Sequence, residues 1–195
     1  MKTAPDAATK TRLGRAVFAA LACLLAALHG AGAATAQTGA AAEDVLDTAQ
    51  TPAGELSLVR RRGQEGAVVI VIKLGGRVLA EKGASREGDA YAGASFAGLY
   101  PRDAPRYALV GLSTGALVCG AKFAIVDLSR GAAGARASED FGNCSDAPRA
   151  AYRRGALTVT FPAGPRRRDP GAHYVGPGQV WSYSGGRLRR VGGRR

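Results

Sequence analysis

Short apolar stretches separated by glycine, proline and aspartate run through most of the chain. The strongest is 67–72, six apolar and mostly β-branched residues, a pattern typical of an interior strand that is covered on both faces. The glycine pair 75–76 follows it and precedes a second apolar run. Because tight hairpin turns need positive φ, this pair predicts a β-hairpin in which Ile72 lies opposite Leu79.

Further strand signals continue towards the C-terminus. Residues 95–100 and 107–112 are apolar runs that end at turn residues. Segment 117–128 alternates, so that Cys119 is predicted to share a core-facing side with Phe123 and Ile125.

The last part of the chain also contains strand signals. Segment 157–161 alternates, with Leu157, Val159 and Phe161 facing inward. A second glycine pair, 185–186, predicts a closing hairpin in which Trp181 faces Arg190 and Tyr183 faces Leu188. Arg187 and Arg189 are predicted to share the face opposite that of Trp181, Tyr183 and Arg190.

Helical patterning is confined to one short stretch, 41–49, for which we predict a short helix. The rest of the chain has the short, regularly punctuated runs of a β-protein. The predicted fold class is therefore all-β: one domain at 55–195, a single small sandwich or a curled antiparallel meander.

The N-terminus has the three parts of a secretory signal peptide. Basic residues outnumber the one acidic residue, Asp6, before an apolar run at 16–28. This run is shorter than the roughly 20 residues of a membrane-spanning helix. Small residues follow, and cleavage after Ala36 fits them best, while retention as an uncleaved anchor is the alternative. We expect a signal peptide at 1–36, a flexible leader at 37–54, location in the periplasm or outside the cell, and no transmembrane span after cleavage.

The chain that remains after cleavage contains two cysteines, Cys119 and Cys144. An even pair in an exported protein favours a disulfide, which would close a loop of about 25 residues. Two free buried thiols are the alternative.

The charge is concentrated at the C-terminus. Residues 149–195 contain 11 arginines and one acidic residue, a net charge of +10, whereas 37–148 contain 12 basic and 13 acidic residues, a net charge of −1. Such asymmetry indicates contact with an anionic partner, such as lipopolysaccharide, phospholipid head groups, a nucleic acid or an acidic protein. The alternative is compositional, since a GC-rich genome produces arginine-rich and alanine-rich sequences without selection for a ligand.

The sequence lacks the residues that several kinds of catalytic site require. His173 is the one histidine after residue 36, which excludes a zinc site built on two or three histidines of one chain. Nucleophile-elbow, phosphate-loop and dinucleotide motifs are absent. Ser113 or Ser182 with His173 would be needed for a serine hydrolase, and nothing in their spacing supports one. We assign no catalytic residue and no cofactor.

The carboxylate residues also give only weak indications of a catalytic or a metal-binding site. Glu139 and Asp140 are adjacent and face opposite sides of a strand, so they cannot pair for glycoside hydrolysis. Asp140, Asn143 and Asp146 have enough oxygen atoms to suggest calcium, but their spacing does not fit an EF-hand loop. A turn in which these side chains bond to backbone amides explains the same residues, and no metal site is assigned.

The best binding candidates are the arginines and aromatic residues of the C-terminal segment. Interleaved arginine and aromatic side chains can pair with phosphates and stack on bases or sugars, although the aromatic residues are equally well explained as core residues of the closing hairpin. The anion-binding candidates are Arg166, Arg167, Arg168, Arg187, Arg189 and Arg190, and the aromatic candidates are Trp181 and Tyr183.

Three segments, 117–128, 138–146 with its Phe-Gly-Asn-Cys-Ser-Asp turn, and 157–162, resemble a pattern in small exported proteins of Gram-negative bacteria. The resemblance rests on the two cysteines and that turn. It implies a periplasmic β-rich domain with a Cys119–Cys144 bridge, and it transfers no catalytic residue.

The sequence thus predicts a non-enzymatic periplasmic or secreted binding protein, whose arginine-rich C-terminal surface contacts an anionic envelope component. An inhibitor or immunity-type protein that binds an envelope enzyme is the alternative. A cell-wall hydrolase is a third and weaker hypothesis.

Overall fold

The computed structural model describes residues 43–62, 67–83, 91–115, 119–164 and 175–193. These residues form strands joined by short turns, with one helical turn, α1 (Gly131–Gly134). The strands are β1 (Glu43–Thr51), β2 (Gly54–Arg62), β3 (Val68–Leu74), β4 (Arg77–Lys82), β5 (Gly93–Tyr100), β6 (Tyr107–Ser113), β7 (Ala121–Asp127), β8 (Arg136–Ala137), β9 (Arg149–Arg153), β10 (Ala156–Phe161), β11 (Gln179–Ser184) and β12 (Arg187–Gly192).

The strands form three sheets, each an antiparallel meander of four consecutive strands. We call them the N-terminal sheet (β1–β4), the central sheet (β5–β8) and the C-terminal sheet (β9–β12). The predicted all-β class is confirmed, and the meander describes each sheet. Three packed sheets replace the single sandwich, because the central sheet is apolar on both faces.

The two faces of the central sheet lie in two separate cores. Successive residues of a strand point to opposite faces, so Ala108, Val110 and Leu112 face the N-terminal sheet while Tyr107 and Leu109 face the C-terminal sheet. The first core also contains Leu56, Leu58, Ile70 and Ile72, and the second also contains Phe123, Ile125, Leu157, Val159 and Phe161. The central sheet is therefore the middle layer.

The hairpin between β3 and β4 confirms the predicted turn and corrects its register. Gly75 and Gly76 have φ values of +55° and +80°, as a two-residue turn requires. However, Ile72 lies opposite Ala80, and the predicted pairing with Leu79 is wrong. A β-bulge between Ile72 and Lys73 places one extra residue in β4, which shifts all pairs beyond it.

The predicted helix at 41–49 is wrong, because Glu43–Thr51 is strand β1. A helix this short is marginal in water without tertiary support. Pairing with β2 instead satisfies the backbone, and the cross-strand ion pair of Arg60 with Asp44 adds to it. Residues 43–54, predicted as leader, thus belong to the N-terminal sheet.

The other strand predictions agree with the structure except for one boundary: the predicted strand 117–128 corresponds to β7, which begins at Ala121, so the buried Cys119 precedes the strand. β5, β6 and β10 lie where the apolar runs predicted them, and Leu157, Val159 and Phe161 are buried. In the closing hairpin, Trp181 pairs with Arg190 and Tyr183 with Leu188.

The predicted disulfide between Cys119 and Cys144 is present. It links the segment before β7 to the turn that leads into β9, and so connects the central sheet to the entrance of the C-terminal sheet. The predicted signal peptide and the first part of the leader lie outside the described residues. Among the helices of the described ranges, none has the length and apolar character to cross a membrane.

Candidate anion-binding face

The C-terminal sheet contains five of the eight predicted binding residues. Trp181 and Tyr183 are on β11, and Arg187, Arg189 and Arg190 are on β12. The loop residues Arg166, Arg167 and Arg168 lie outside the described part of the chain, as does His173.

Tyr183 is a core residue, with 2% of its surface exposed. Its ring packs edge-on against Tyr107 at a centroid distance of 5.6 Å, and its hydroxyl donates a 3.1 Å hydrogen bond to Oδ2 of Asp127. Burial, together with the nearby Asp127 carboxylate, raises the pKa of Tyr183 to about 12. The side chain therefore offers no surface for a ligand.

Trp181 is half-buried on the same side of the sheet. Its ring packs against Phe141 at a centroid distance of 5.5 Å, and its indole Nε1 donates a 2.8 Å hydrogen bond to Gln179. Trp181 and Tyr183 could be predicted either as ligand-stacking residues or as core residues of the closing hairpin. In the structure, both side chains pack on the core side of the sheet. The sequence could not decide between these two roles, because alternation does not show which face of a hairpin becomes covered.

The opposite face of the C-terminal sheet, which points away from the central sheet, is the outer face. Cross-strand partners share a face, so the register assigns each residue of the four strands to one side. Thr158 of β10 lies between Ala151 of β9 and Ser182 of β11, and Ser182 in turn lies opposite Arg189 of β12. Small and hydroxyl side chains thus occupy the middle of the outer face.

Arginines occupy both edges of that face. Arg149 and Arg153 lie on the edge strand β9, and Arg187 and Arg189 lie on the other edge strand, β12. All four side chains are exposed. We call Arg149, Arg153, Arg187 and Arg189 together the basic face.

Two members of the basic face, Arg149 and Arg153, were not among the residues predicted from the sequence. The spacing of these two arginines could have identified them. They are four residues apart on a short strand, and side chains four residues apart on a strand lie on the same face. What the sequence did not show is that β9 and β12 are the two edges of one sheet.

The positive charge of this face is uncompensated within the described structure. Strands β9 to β12 contain no aspartate or glutamate. No arginine of the basic face forms an ion pair with another described residue. Several cations of the N-terminal sheet are balanced instead, since Arg61 pairs with Glu81 at 2.6 Å and Lys73 with Glu43 at 2.5 Å.

Arg190 does not belong to the basic face. It lies opposite Trp181, on the core-facing side of β12, and its side chain reaches solvent at the sheet edge. Its neighbours Arg187 and Arg189 point the other way, as the alternation predicted.

No family model, curated protein or solved structure matches the chain.

The acidic turn before β9 has a structural role in the described residues. Asp140 forms an ion pair with Lys82 at 2.6 Å and accepts a hydrogen bond from the hydroxyl of Tyr91. Asn143 is buried, and its amide nitrogen donates to three backbone carbonyl oxygens. Asp140, Asn143 and Asp146 therefore do not converge on a cation, and no group of three potential metal ligands occurs among the described residues.

A groove of about 790 Å³ lies at one end of the central sheet. Its lining includes small residues of β5 and β6, such as Ser95 and Gly111, and the Asp146–Pro148 segment. Asp146 is the one carboxylate among the residues that line it, so the described groove lacks the carboxylate pair of a glycosidase. Ser113 also lines the groove, whereas Ser182 lies on the outer face of the C-terminal sheet.

Proposed function

We propose that this protein is a non-enzymatic periplasmic or secreted binding protein, which contacts an anionic partner through the outer face of its C-terminal sheet. The observation that carries the proposal is the basic face: four exposed arginines on one side of a sheet that contains no acidic residue. The basic face combines Arg187 and Arg189, which the sequence predicts as anion-binding residues, with Arg149 and Arg153 of the other edge strand.

Arginine suits such a role chemically. Its planar guanidinium group stays charged and presents a fork of donors that matches phosphate, sulfate and carboxylate groups. One exposed ion pair contributes only about 0.2–1 kcal/mol, so useful affinity requires several arginines to bind together. A sheet holds the four backbone positions at fixed spacing and supports this simultaneous contact.

Charge in itself does not explain the arrangement. The exposed cations Arg60, Arg61 and Lys73 of the N-terminal sheet lie beside carboxylates that balance them. A purely compositional excess of arginine would be expected over all surfaces. Exposed arginines without an ion pair also occur elsewhere in the described structure, for example Arg62 and Arg102, but the C-terminal sheet places four of them on one face whose strands contain no carboxylate.

The test compares two variants with the same net charge. The first replaces the basic face with serine, and the second replaces four exposed arginines that lie elsewhere. The control substitutions are Arg62→Ser, Arg77→Ser, Arg102→Ser and Arg130→Ser. Both variants of the 37–195 chain are eluted from heparin-agarose, a sulfated polyanion, with a salt gradient.

We expect the basic-face variant to elute at clearly lower salt than the control variant. The four arginines that it loses lie on one surface and can contact the polyanion together, whereas the four control arginines are not on that surface. Equal elution of the two variants would show that net charge alone governs binding, and would overturn the proposal. A third variant, with Arg166, Arg167 and Arg168 replaced by serine, measures what the loop outside the described residues adds.

A further inference from the structure

We infer that the anionic partner is a linear phosphate chain, lying along β10 and β11 between the arginines of the two edge strands. The inference rests on the proposed function, since it names the occupant of the same face. An anionic membrane and a base-stacked nucleic acid are the competing occupants.

On the outer face, the arginines of the two edge strands border a strip of smaller side chains, which we call the trough. Two strands, β10 and β11, separate the edge strands β9 and β12. At about 4.8 Å between neighbouring strands, the two arginine rows are roughly 14 Å apart. Strands of five or six residues make the trough about 17–20 Å long. An elongated and narrow anion fits this outline better than a compact one.

The floor of the trough contains four hydroxyl side chains, together with Ala156 and Val180. Thr158 and Ser182 are cross-strand partners at its centre, and Thr160 and Ser184 continue the floor towards its two ends. Hydroxyl groups donate hydrogen bonds to phosphate oxygens, as they do in proteins that grip a phosphate backbone. The floor and the flanking arginines are therefore complementary to the same chemical group.

The trough lacks the apolar groups that a membrane-binding face uses. Such faces combine cations with tryptophan, phenylalanine or leucine side chains that enter the boundary between head groups and acyl chains. Here the aromatic residues Trp181 and Tyr183 point into the core. Two valines lie at one end of the described outer face: Val180, which is partly exposed, and Val191 of β12, which is 61% exposed. They add no tryptophan, phenylalanine or leucine side chain to that face.

The same arrangement disfavours recognition of nucleic-acid bases. Proteins that bind single strands stack the bases on exposed aromatic rings. On the described outer face the available contacts are arginine forks and hydroxyl groups. The described outer face has no aromatic ring on which a base could stack, so a chain without bases is the occupant that the face fits best.

The experiment measures binding of the 37–195 chain to inorganic polyphosphate at several salt concentrations. Vesicles of phosphatidylglycerol and an oligothymidylate of equal charge are the comparison ligands. One variant, Thr158→Val with Ser182→Val, alters the floor and keeps every arginine. Its matched control is Thr48→Val with Ser57→Val, which alters the corresponding threonine–serine cross-strand pair in the N-terminal sheet. Far-ultraviolet circular dichroism and unfolding midpoints verify that both variants fold.

We expect polyphosphate to bind the wild-type chain, and the floor variant to bind it roughly tenfold more weakly than the control variant does. Binding of polyphosphate to the basic-face variant should also depend less on salt. The slope of the logarithm of the binding constant against the logarithm of the salt concentration should fall by about one unit for each lost phosphate contact. Both results together support the inference.

Other results would overturn it in distinguishable ways. If vesicles or the oligothymidylate bind more tightly than polyphosphate, and that binding depends on the basic face, the occupant is wrong and the proposed function stands. If the floor variant binds polyphosphate as well as its control, the chain does not lie in the trough. If none of the three ligands shows binding that depends on the basic face, the proposed function fails as well.

Discussion

The hydroxyl of Tyr183 donates a 3.1 Å hydrogen bond to Oδ2 of Asp127, which joins the C-terminal sheet to the central sheet. Asp127 is the last residue of β7 and is buried. Its other oxygen, Oδ1, accepts hydrogen bonds from the amide and the hydroxyl of Ser129, at 3.0 and 2.6 Å. Both oxygens of the Asp127 carboxylate therefore accept hydrogen bonds, Oδ1 from Ser129 and Oδ2 from Tyr183. The bond from Tyr183 links the central sheet to the C-terminal sheet, which carries the basic face.

This link predicts a loss of stability at alkaline pH. Burial, with the nearby Asp127, raises the pKa of Tyr183 from 10.0 to about 12. Above pH 10 the unfolded chain loses the phenol proton while the folded chain retains it, so the free energy of unfolding falls between about pH 10 and pH 12. We expect the titration of Tyr183 to lower the free energy of unfolding by roughly 1–3 kcal/mol over this range. Urea unfolding at pH 8, 10 and 11.5 measures the change.

Tyr183→Phe is the control for that prediction. The variant is less stable at pH 8, because it leaves one oxygen of the Asp127 carboxylate without its donor. Its stability should fall less steeply above pH 10, since the titrating group has been removed. If wild type and variant lose the same free energy between pH 10 and 11.5, Tyr183 is not the cause.

The two glycine hairpins provide a matched pair of substitutions. Gly76 and Gly186 both have φ of +80°, but a Cβ at Gly76 would meet nothing within 4 Å, whereas one at Gly186 would overlap the guanidinium group of Arg136. Both alanine variants bear the strain of a left-handed residue, about 1–2 kcal/mol. We expect Gly186→Ala to lower the free energy of unfolding by a further ~1–2 kcal/mol, because Arg136 must move away.

Urea unfolding of the two variants measures the difference. The Arg136→Ala substitution should reduce the extra cost of Gly186→Ala, as a double-mutant cycle would show. Equal destabilisation by Gly76→Ala and Gly186→Ala would mean that Arg136 does not occupy the space beneath the closing hairpin.

Asn143 organises the loops that border the C-terminal sheet. Its side-chain amide donates to the carbonyl oxygens of Pro162 at 2.8 Å, Pro177 at 2.9 Å and Gly176 at 3.3 Å. We expect Asn143→Ala to reduce stability by about 2–4 kcal/mol, because buried carbonyl groups lose their donor. Thermal or urea unfolding measures the loss.

The neighbouring Ser145→Ala is the control for Asn143. The Ser145 hydroxyl accepts one hydrogen bond, from the amide of Ala147 at 3.3 Å, and its removal should cost about 1 kcal/mol. Similar losses in the two variants would contradict the special role of the asparagine.

The disulfide closes a loop with a sequence separation of 25. In the chain-entropy model such a loop contributes about 3 kcal/mol, so reduction should lower the unfolding midpoint. The Cys119→Ala, Cys144→Ala double variant should be less stable than wild type by a similar amount and should not respond to a reducing agent. A wild-type midpoint that stays unchanged under reducing conditions would show that the bridge adds little.

The candidate site was only partly predictable. Arg187 and Arg189 were identified, and their common side was predicted from the two-residue period of a strand. Arg149 and Arg153 follow the same period, yet nothing local shows that β9 lies on the far edge of the sheet from β12. Trp181 and Tyr183 were ambiguous for a related reason, since a hairpin has two faces and its own sequence does not state which one is covered.

The sequence by itself determined the elements that depend on neighbouring residues: the apolar strands, the glycine hairpins and the pairing of Trp181 with Arg190. Two cysteines in the chain beyond the predicted signal peptide also limited the possible bridge to one. Tertiary structure decided the remainder. It made β1 a strand where local preference favoured a helix, stacked three sheets instead of two, and brought β9 and β12 to the edges of one trough. These outcomes depend on which surfaces bury each other, and burial is a property of residues that are far apart along the chain.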